Sequence, residues 1–259
     1  TRNESSAASD VYKRQTTIAG TLARILAKKE NKILAIDGDP NPNLALTLGI
    51  SREKANNINF IPHTVMKLEE DDYGEKVLKM SLSENDLFEK YGTKGPDNID
   101  LIVMGHPADG TAGSGWMCAS HRAVRGLIVE LTGYCKHTIT DMEAGLEHLK
   151  RGTAKNVDMM IIVVEPYYRS LEAGMRTFKL AKELNIKHLY VASNKFTNEA
   201  DENAIKEFCE KYTMPIISNI PYDSNLIEAE RNEKAPYDYN IEAPSIKAIN
   251  KIADWISTH

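Results

Sequence analysis

The 259-residue sequence predicts an α/β fold with a doubly wound, mostly parallel sheet. Two observations carry this. Runs rich in Ile, Val, Leu and Met recur along the chain, and several are apolar almost throughout, as expected for strands covered on both faces. Segments of helical period separate them, and the alternation implies right-handed βαβ units. With 42% hydrophobic residues and a mixed charged surface, the chain has the apolar mass of one large domain.

Taken in order, the first helix is predicted over Thr17 to Lys29, where Ile18, Leu22, Ile25 and Leu26 share one face. The strand Lys32 to Asp37 follows. Asn56 to Asp97 is the least regular part, acidic near Glu69-Glu70-Asp71-Asp72, and reads as a surface insertion. Beyond it the pattern becomes regular: strand Ile99 to Met104, helix Ala119 to Leu131, strand His137 to Asp141 and strand Met159 to Val164. Helix Ser170 to Leu184, strand His188 to Ser193, helix Glu199 to Lys211, strand Pro215 to Ile220 and helix Ser245 to Ser257 complete the chain. No internal repeat or low-complexity tract interrupts them.

Composition narrows the function classes. The balance of 32 basic against 37 acidic side chains gives a net charge of −5, with neither sign in a long block. Nucleic acid and anionic membrane are therefore not expected as partners. Three cysteines, Cys118, Cys135 and Cys209, are irregularly spaced and give no disulfide framework, which points to a reducing compartment. No signal peptide or spanning run is visible, and the expected location is cytoplasmic.

In a parallel sheet of this kind ligands bind outside the carboxyl ends of the strands. The strand Ile33 to Ile36 ends in Asp37-Gly38-Asp39-Pro40-Asn41-Pro42-Asn43, a stiff acidic loop. Asp39 there could serve a Mg²⁺ ion or a water attacking a γ-phosphate; the plainer reading is a capping turn. His137 to Thr140 ends in Asp141-Met142-Glu143-Ala144-Gly145, where an acid followed by a close glycine suits a Mg²⁺ second shell and a backbone amide reaching phosphate, or simply an acid at a helix start. A third strand ends in Ser193-Asn194-Lys195, and Asn194 could pair with a base edge. Three such ends in this order point to nucleotide hydrolysis.

With those residues in view, the chain resembles the MinD/ParA-type ATPases with a deviant P-loop, and within them the CooC-type nickel-insertion ATPases that mature carbon monoxide dehydrogenase. The resemblance runs from Thr16 to about Trp255. It is carried by TTIAGTLARILAK at Thr16 to Lys28, LAIDGDPNPNLALTLGI at Leu34 to Ile50, DMEAGLEHLKRGT at Asp141 to Thr153, NVDMMIIVVEP at Asn156 to Pro166, SNK at Ser193 to Lys195 and IPYD at Ile220 to Asp223. It implies a P-loop NTPase fold and a homodimer that closes over ATP and opens after hydrolysis. By the same likeness Thr16 ligates Mg²⁺, Thr17 contacts the α-phosphate, Asp39 positions the hydrolytic water and Asp141 holds the metal's water shell. Gly145 offers its amide to phosphate, Asn194 and Lys195 form the adenine strand end, and Pro221, Tyr222 and Asp223 close over the base.

Two departures follow. The family's GKGGxGK pattern is absent before Thr16: Gln15 stands at the P-loop lysine, and no glycine occurs in TRNESSAASDVYKRQ. Asp10 to Gln15 (DVYKRQ) is what GATGTGTATAAGAGACAG encodes, a transposon end used in sequencing libraries. The expectation is that residues 1–15 are a non-native segment replacing the first strand and P-loop, and that 16–259 form a single ATPase-like domain. Val11-Tyr12 is the only short β-prone piece in that segment. The second departure concerns metal. Trp116 stands where the resemblance implies the first cysteine of a CxC pair, leaving Cys118. Cys118 and His121, three apart, could share a helix face, and two copies would make a Cys₂His₂ site for Ni²⁺ or Zn²⁺ across a two-fold axis, against the plainer reading of a buried thiol and a helix-starting histidine. Two functions stay open: an ATP-hydrolysing maturation factor serving a client metalloenzyme such as carbon monoxide dehydrogenase, and a nucleotide-free scaffold or regulatory binding module of the same fold.

Overall fold

The structure, a computed structural model, describes residues 2–30, 32–70, 76–104, 116–142, 149, 154 and 156–259; residues 2–14 and 116–119 are described by their backbone alone. The chain opens with one long helix, α1 (Arg2–Glu30), and then enters strand β1 (Ile33–Asp37). The helix starts well before the predicted Thr17. Residues 2–15 are rich in Ala, Glu, Lys, Arg and Gln, good helix formers that outweigh the β-prone Val11-Tyr12 pair.

Two short helices, α2 (Leu44–Leu48) and α3 (Arg52–Asn56), lead into the insertion. There β2 (Met66–Glu70) and β3 (Lys76–Met80) pair antiparallel, and α4 (Glu84–Tyr91) returns the chain to β4 (Thr93–Lys94) and β5 (Ile99–Val103). The helix α5 (Trp116–Glu130) precedes β6 (His137–Asp141). Next come β7 (Met159–Val164), α6 (Tyr168–Glu183), β8 (His188–Phe196), α7 (Glu199–Lys211) and β9 (Ile216–Pro221). Helices α8 (Ser224–Arg231), α9 (Pro236–Tyr239) and α10 (Pro244–Thr258) close the chain. Every strand and long helix read from the sequence is present, most within a few residues of its predicted ends.

The strands form two parallel sheets where the alternation suggested one. The first has the order β4-β5-β1-β6, with only β4 antiparallel, and the second β7-β8-β9. Both are covered on two faces, which is why the strands are apolar on alternate and intervening residues alike. On one face Ile33, Ala35, Leu101, Ala192 and Ile220 share a core with Leu22, Leu26, Ile246 and Ile249 of α1 and α10. On the other, Leu34, Ile36 and Ile102 pack against Val124 and Leu127 of α5, while Val164 and Val191 pack against Leu171 and Phe178 of α6. The helices α1 and α10 therefore lie across both sheets and bind them into one body.

Arg24 fastens α1 at its middle. Buried among apolar residues, its guanidinium donates to Asp97 (2.8 Å), to both carboxylate oxygens of Asp238 (2.7 and 2.8 Å) and to the Leu48 carbonyl (2.8 Å). One side chain thus ties α1 to α2, to the turn before β5 and to α9.

Candidate active site

The carboxyl ends of β1 and β6 bring the predicted acids together. Asp37 and Asp141 are register partners across the parallel β1–β6 ladder, and the Gly38 amide donates to the Asp141 carbonyl at 2.9 Å. Asp37 is fully buried and accepts from the amides of Leu44 (2.9 Å) and Asp39 (3.2 Å). Its carboxylate thus meets the first amide of α2, whose N-cap position is Asn43, and holds the acidic loop against the sheet. Burial is the main cause that pushes its carboxyl up to about 7, and the neighbouring Asp39 charge adds to it against the amide hydrogen bonds.

Asp39 sits half-buried on the loop above, where its Oδ1 accepts from the Asn41 amide at 2.7 Å. That is an Asx turn, so the capping reading of this loop holds alongside the functional one. Thr16, 6% exposed on α1, donates its hydroxyl to Asp141. The other Asp141 oxygen, Oδ2, is buried without a hydrogen-bond partner. Burial, then the charge of Asp37, pushes Asp141 up to about 8, with Asp39 adding and Thr16 opposing. Thr17, one residue along α1, is half-buried at the same end of the sheet.

The orphaned oxygen of Asp141, with Thr16 on the same carboxylate and the charges of Asp37 and Asp39 nearby, fits a hydrated divalent cation. Among the described residues no three His, Cys, Asp or Glu side chains converge closely enough to cage a metal unaided. The two facts agree for Mg²⁺, which keeps several waters and takes one or two protein ligands beside substrate phosphates.

The second sheet carries the other predicted residues. Ser193 and Asn194 are buried, at 0% and 4% exposed, and Lys195 follows with φ 59°. A cleft of about 350 Å³ opens beside them, lined by Phe196, Thr197, Asn198, Glu202, Pro221 and Tyr222. Asn194 is not among the residues that line this cleft. Tyr222 is 49% exposed at its rim. Asp223 is turned the other way: its carboxylate accepts from the Asn225 amide (2.9 Å) and side chain (2.7 Å) and from the Ser245 amide (3.0 Å) and hydroxyl (2.7 Å). It caps α8 and anchors the start of α10. These bonds hold its pKa below the usual carboxylate value despite the opposing effect of burial.

Of the remaining predicted residues, Gly145 lies outside the described residues, as does the side chain of Cys118. His121 on α5 is 3% exposed, packed inside the protomer. Sequence reasoning did not single out Asp37 as the acceptor for the first amide of α2 or Arg24 as the anchor of α1. An acid seven residues ahead of the apolar run at Leu44 was a signal for the first.

The profile of the CobQ/CobB/MinD/ParA nucleotide binding domain matches residues 6–237. The chain belongs to this family. An uncharacterised ATP-binding protein of Methanocaldococcus jannaschii is 35% identical over 255 residues, covering 93% of both chains. The carbon monoxide dehydrogenase accessory protein CooC of Rhodospirillum rubrum is 32% identical over 229 residues, covering 86% of this chain and 85% of its own. Among solved structures, the septum site-determining protein MinD of Pyrococcus horikoshii, complexed with Mg-ADP, superposes with a TM-score of 0.70 at 20% identity, over 93% of this chain and 90% of its own. The protein is thus a member of the MinD/ParA family with a CooC homologue. Among the described residues no helix is long and apolar enough to cross a membrane.

Proposed function

We propose that the gene encodes a dimeric, cytoplasmic ATPase of the CooC type, a maturation factor for a client metalloenzyme such as carbon monoxide dehydrogenase. The observation that supports this best is the Thr16 to Asp141 hydrogen bond at the ends of β1 and β6, with Asp37 and Asp39 beside it. In this reading Thr16 and Asp141 hold Mg²⁺ and its water shell, and the metal supplies charge stabilisation for phosphoryl transfer. Asp39 orients the attacking water, and Asp37 keeps the Asp39 loop in place by accepting from the Asp39 and Leu44 amides. Thr17 and Gly145 meet the phosphates; Asn194, Lys195, Pro221, Tyr222 and the loop fixed by Asp223 receive the base.

In this polypeptide the activity is crippled, because the segment before Thr16 offers neither the glycines nor the lysine of the family's loop. Hydrogen bonds to charged groups contribute about 1.5–3 kcal/mol each. Losing several costs roughly 5 kcal/mol, or about 10³- to 10⁴-fold in affinity. Replacing residues 1–15 with a strand followed by GKGGxGK should restore ATP binding and turnover, and Asp39→Ala in that background should abolish hydrolysis while retaining binding. Unchanged turnover in Asp39→Ala removes Asp39 from its role. Native genomic sequence that encodes DVYKRQ upstream of Thr16 would sink the replacement idea. Metal analysis of the dimer against Cys118→Ser tests whether Cys118 and His121 carry Ni²⁺ or Zn²⁺; no metal in either form dismisses them.

A nucleotide-free scaffold or regulatory module is the second reading, favoured by the unbroken helix from Arg2 to Glu30. A helix commits its amides to its own ladder, so only the first turn could offer a phosphate free N–H groups. Calorimetry with ATP on the chain as it stands separates the two.

A further inference from the structure

The second sheet is notched at its amino end. Strand β8 pairs with β7 from His188 onward, whereas β9 joins it only at Val191, opposite Ile216. His188, Leu189 and Tyr190 therefore have a strand on one side and a gap on the other. Successive residues of a parallel strand turn their amides to alternate sides. His188 donates to Asp158 beside β7 (3.0 Å) and Val191 donates to Pro215 beside β9 (2.8 Å), so the amide and carbonyl of Leu189 face the gap. In a continued ladder that carbonyl would accept from residue 215, but Pro215 has no N–H to give. The Leu189 amide, whose acceptor would be the Thr213 carbonyl, makes no such bond.

The gap opens into a cleft of about 700 Å³ that Leu189, Thr213 and Pro215 all line. Its floor is apolar, formed by the buried side chains of Phe178, Ile186 and Met214. Cys209 lies there too, and burial pushes its thiol up to about 11, which leaves it protonated and unreactive. The mouth is basic: Lys182, Lys187 and His188 face one acid, Glu210. The Lys182 ammonium stands 5.7 Å from the centre of the Phe178 ring, so cation and apolar floor adjoin. The end of α7 is closed by Thr213 in the left-handed region (φ 55°), a conformation that β-branched residues rarely adopt and that clusters at ligand clamps. From this cleft β8 runs six residues to Asn194, about 20 Å, so the cleft is separate from the carboxyl end of the sheet.

We propose that this cleft is a binding site for a small N-acylated apolar amino acid. Its chemistry follows from the lining. The apolar side chain of the ligand covers Phe178 and Met214. Its amide N–H donates to the Leu189 carbonyl and its acyl oxygen accepts from the Leu189 amide, completing the bonds that Pro215 and Thr213 leave unmade. Its carboxylate meets Lys182 and Lys187 at the mouth. A mostly apolar cleft with a few convergent polar groups is the usual form of a small-molecule site. Binding here requires no nucleotide and does not depend on the ATPase reading.

The test is a fluorescence titration of the intact chain with N-acetyl-L-phenylalanine, without nucleotide. Trp255 reports it, because its ring stands edge-on to His188 (5.5 Å) and Tyr190 (4.9 Å), which both line the cleft. Trp116→Phe leaves Trp255 as the sole indole. The expected result is a saturable change with half-saturation at about 1 mM. Phenylpropionate keeps the ring and carboxylate but lacks the amide, and should bind about fivefold more weakly. Lys187→Glu should weaken both ligands about fivefold. Pro215→Ala supplies the missing N–H and pairs the Leu189 carbonyl within the sheet, so the two ligands should then bind within about twofold of each other. No saturable change by about 10 mM, equal binding of phenylpropionate to the unaltered cleft, binding that Lys187→Glu leaves unmoved, or a preference that survives Pro215→Ala overturns the proposal. Each result is read without ATP, so a failure here leaves the ATPase reading untouched.

Discussion

Replacing Arg24 by Met should unfasten α1 while keeping its volume. The guanidinium makes four hydrogen bonds, and their contributions differ with exposure. Asp238 is 44% exposed and can be resolvated, so its bidentate pair contributes only about 1 kcal/mol. Asp97, 15% exposed, keeps Lys28 at 2.6 Å and so is not stranded. The Leu48 carbonyl is the costly loss, about 1–3 kcal/mol for a buried acceptor left unmade. Together these predict a destabilisation of about 3 kcal/mol, towards the lower end for removing one member of a buried ion pair. Urea unfolding should show a lower midpoint at unchanged slope. A cycle with Asp238→Asn should give a coupling of about 1 kcal/mol or less, and one with Asp97→Asn a larger value. A loss under about 1 kcal/mol for Arg24→Met, or additivity in both cycles, refutes the view that this side chain anchors the helix.

Three further outcomes follow from the same structure. Asp37 and Asp141 are pushed up to about 7 and about 8; a carboxyl that binds its proton more tightly when folded favours folding at low pH, so that contribution fades as pH rises from about 4 to 8. Urea midpoints should therefore fall between pH 5 and pH 8, and Asp141→Asn should flatten the decline; a wild-type midpoint that is level or rising over that window contradicts it. A Cβ on Gly174 of α6 would lie 2.4 Å from Val164 Cγ1, so Gly174→Ala should destabilise by about 1–3 kcal/mol, with partial rescue by Val164→Ala; absence of rescue means that the helix–strand approach is not the cause. Asp223→Ala removes the cap of α8 and the anchor of Ser245 together and should cost about 2–3 kcal/mol, measurable by thermal unfolding, whereas Tyr222→Ala at the exposed rim should cost under about 0.5 kcal/mol.

The sequence made the strands legible because burial on both faces leaves runs such as MMIIVV with no polar alternation. Strand ends were legible for the same reason: the first acid after such a run marks where the chain leaves the core. Legibility failed where tertiary context decided. Val11-Tyr12 has strand propensity, but its neighbours continue a helix whose second half is pinned by packing. Asp39 drew attention as the loop acid, yet the deeply buried member is Asp37, whose partners are amides that no side-chain pattern displays. Asp223 was read as part of a base lid, and its bonds to Ser245 join residues that are neighbours only once α10 is docked. The break between β6 and β7 was hidden too, since local apolar runs say nothing about which strands pair.

The docking of α10 on α1 has a consequence for synthesis. Ile246, Ile249 and Ile252 cover the same core as Ile18, Leu22 and Ile25, more than two hundred residues earlier in the chain. Until the last helix leaves the ribosome, the part of the first one that α10 covers stays exposed, although Ile33, Leu44 and Leu48 of the same core can already close on α1. Contacts so distant in sequence slow folding and lengthen the time for which a nascent chain depends on chaperones. Trimming a few residues from the carboxyl terminus should therefore reduce soluble yield more than trimming the same number from the exposed insertion hairpin.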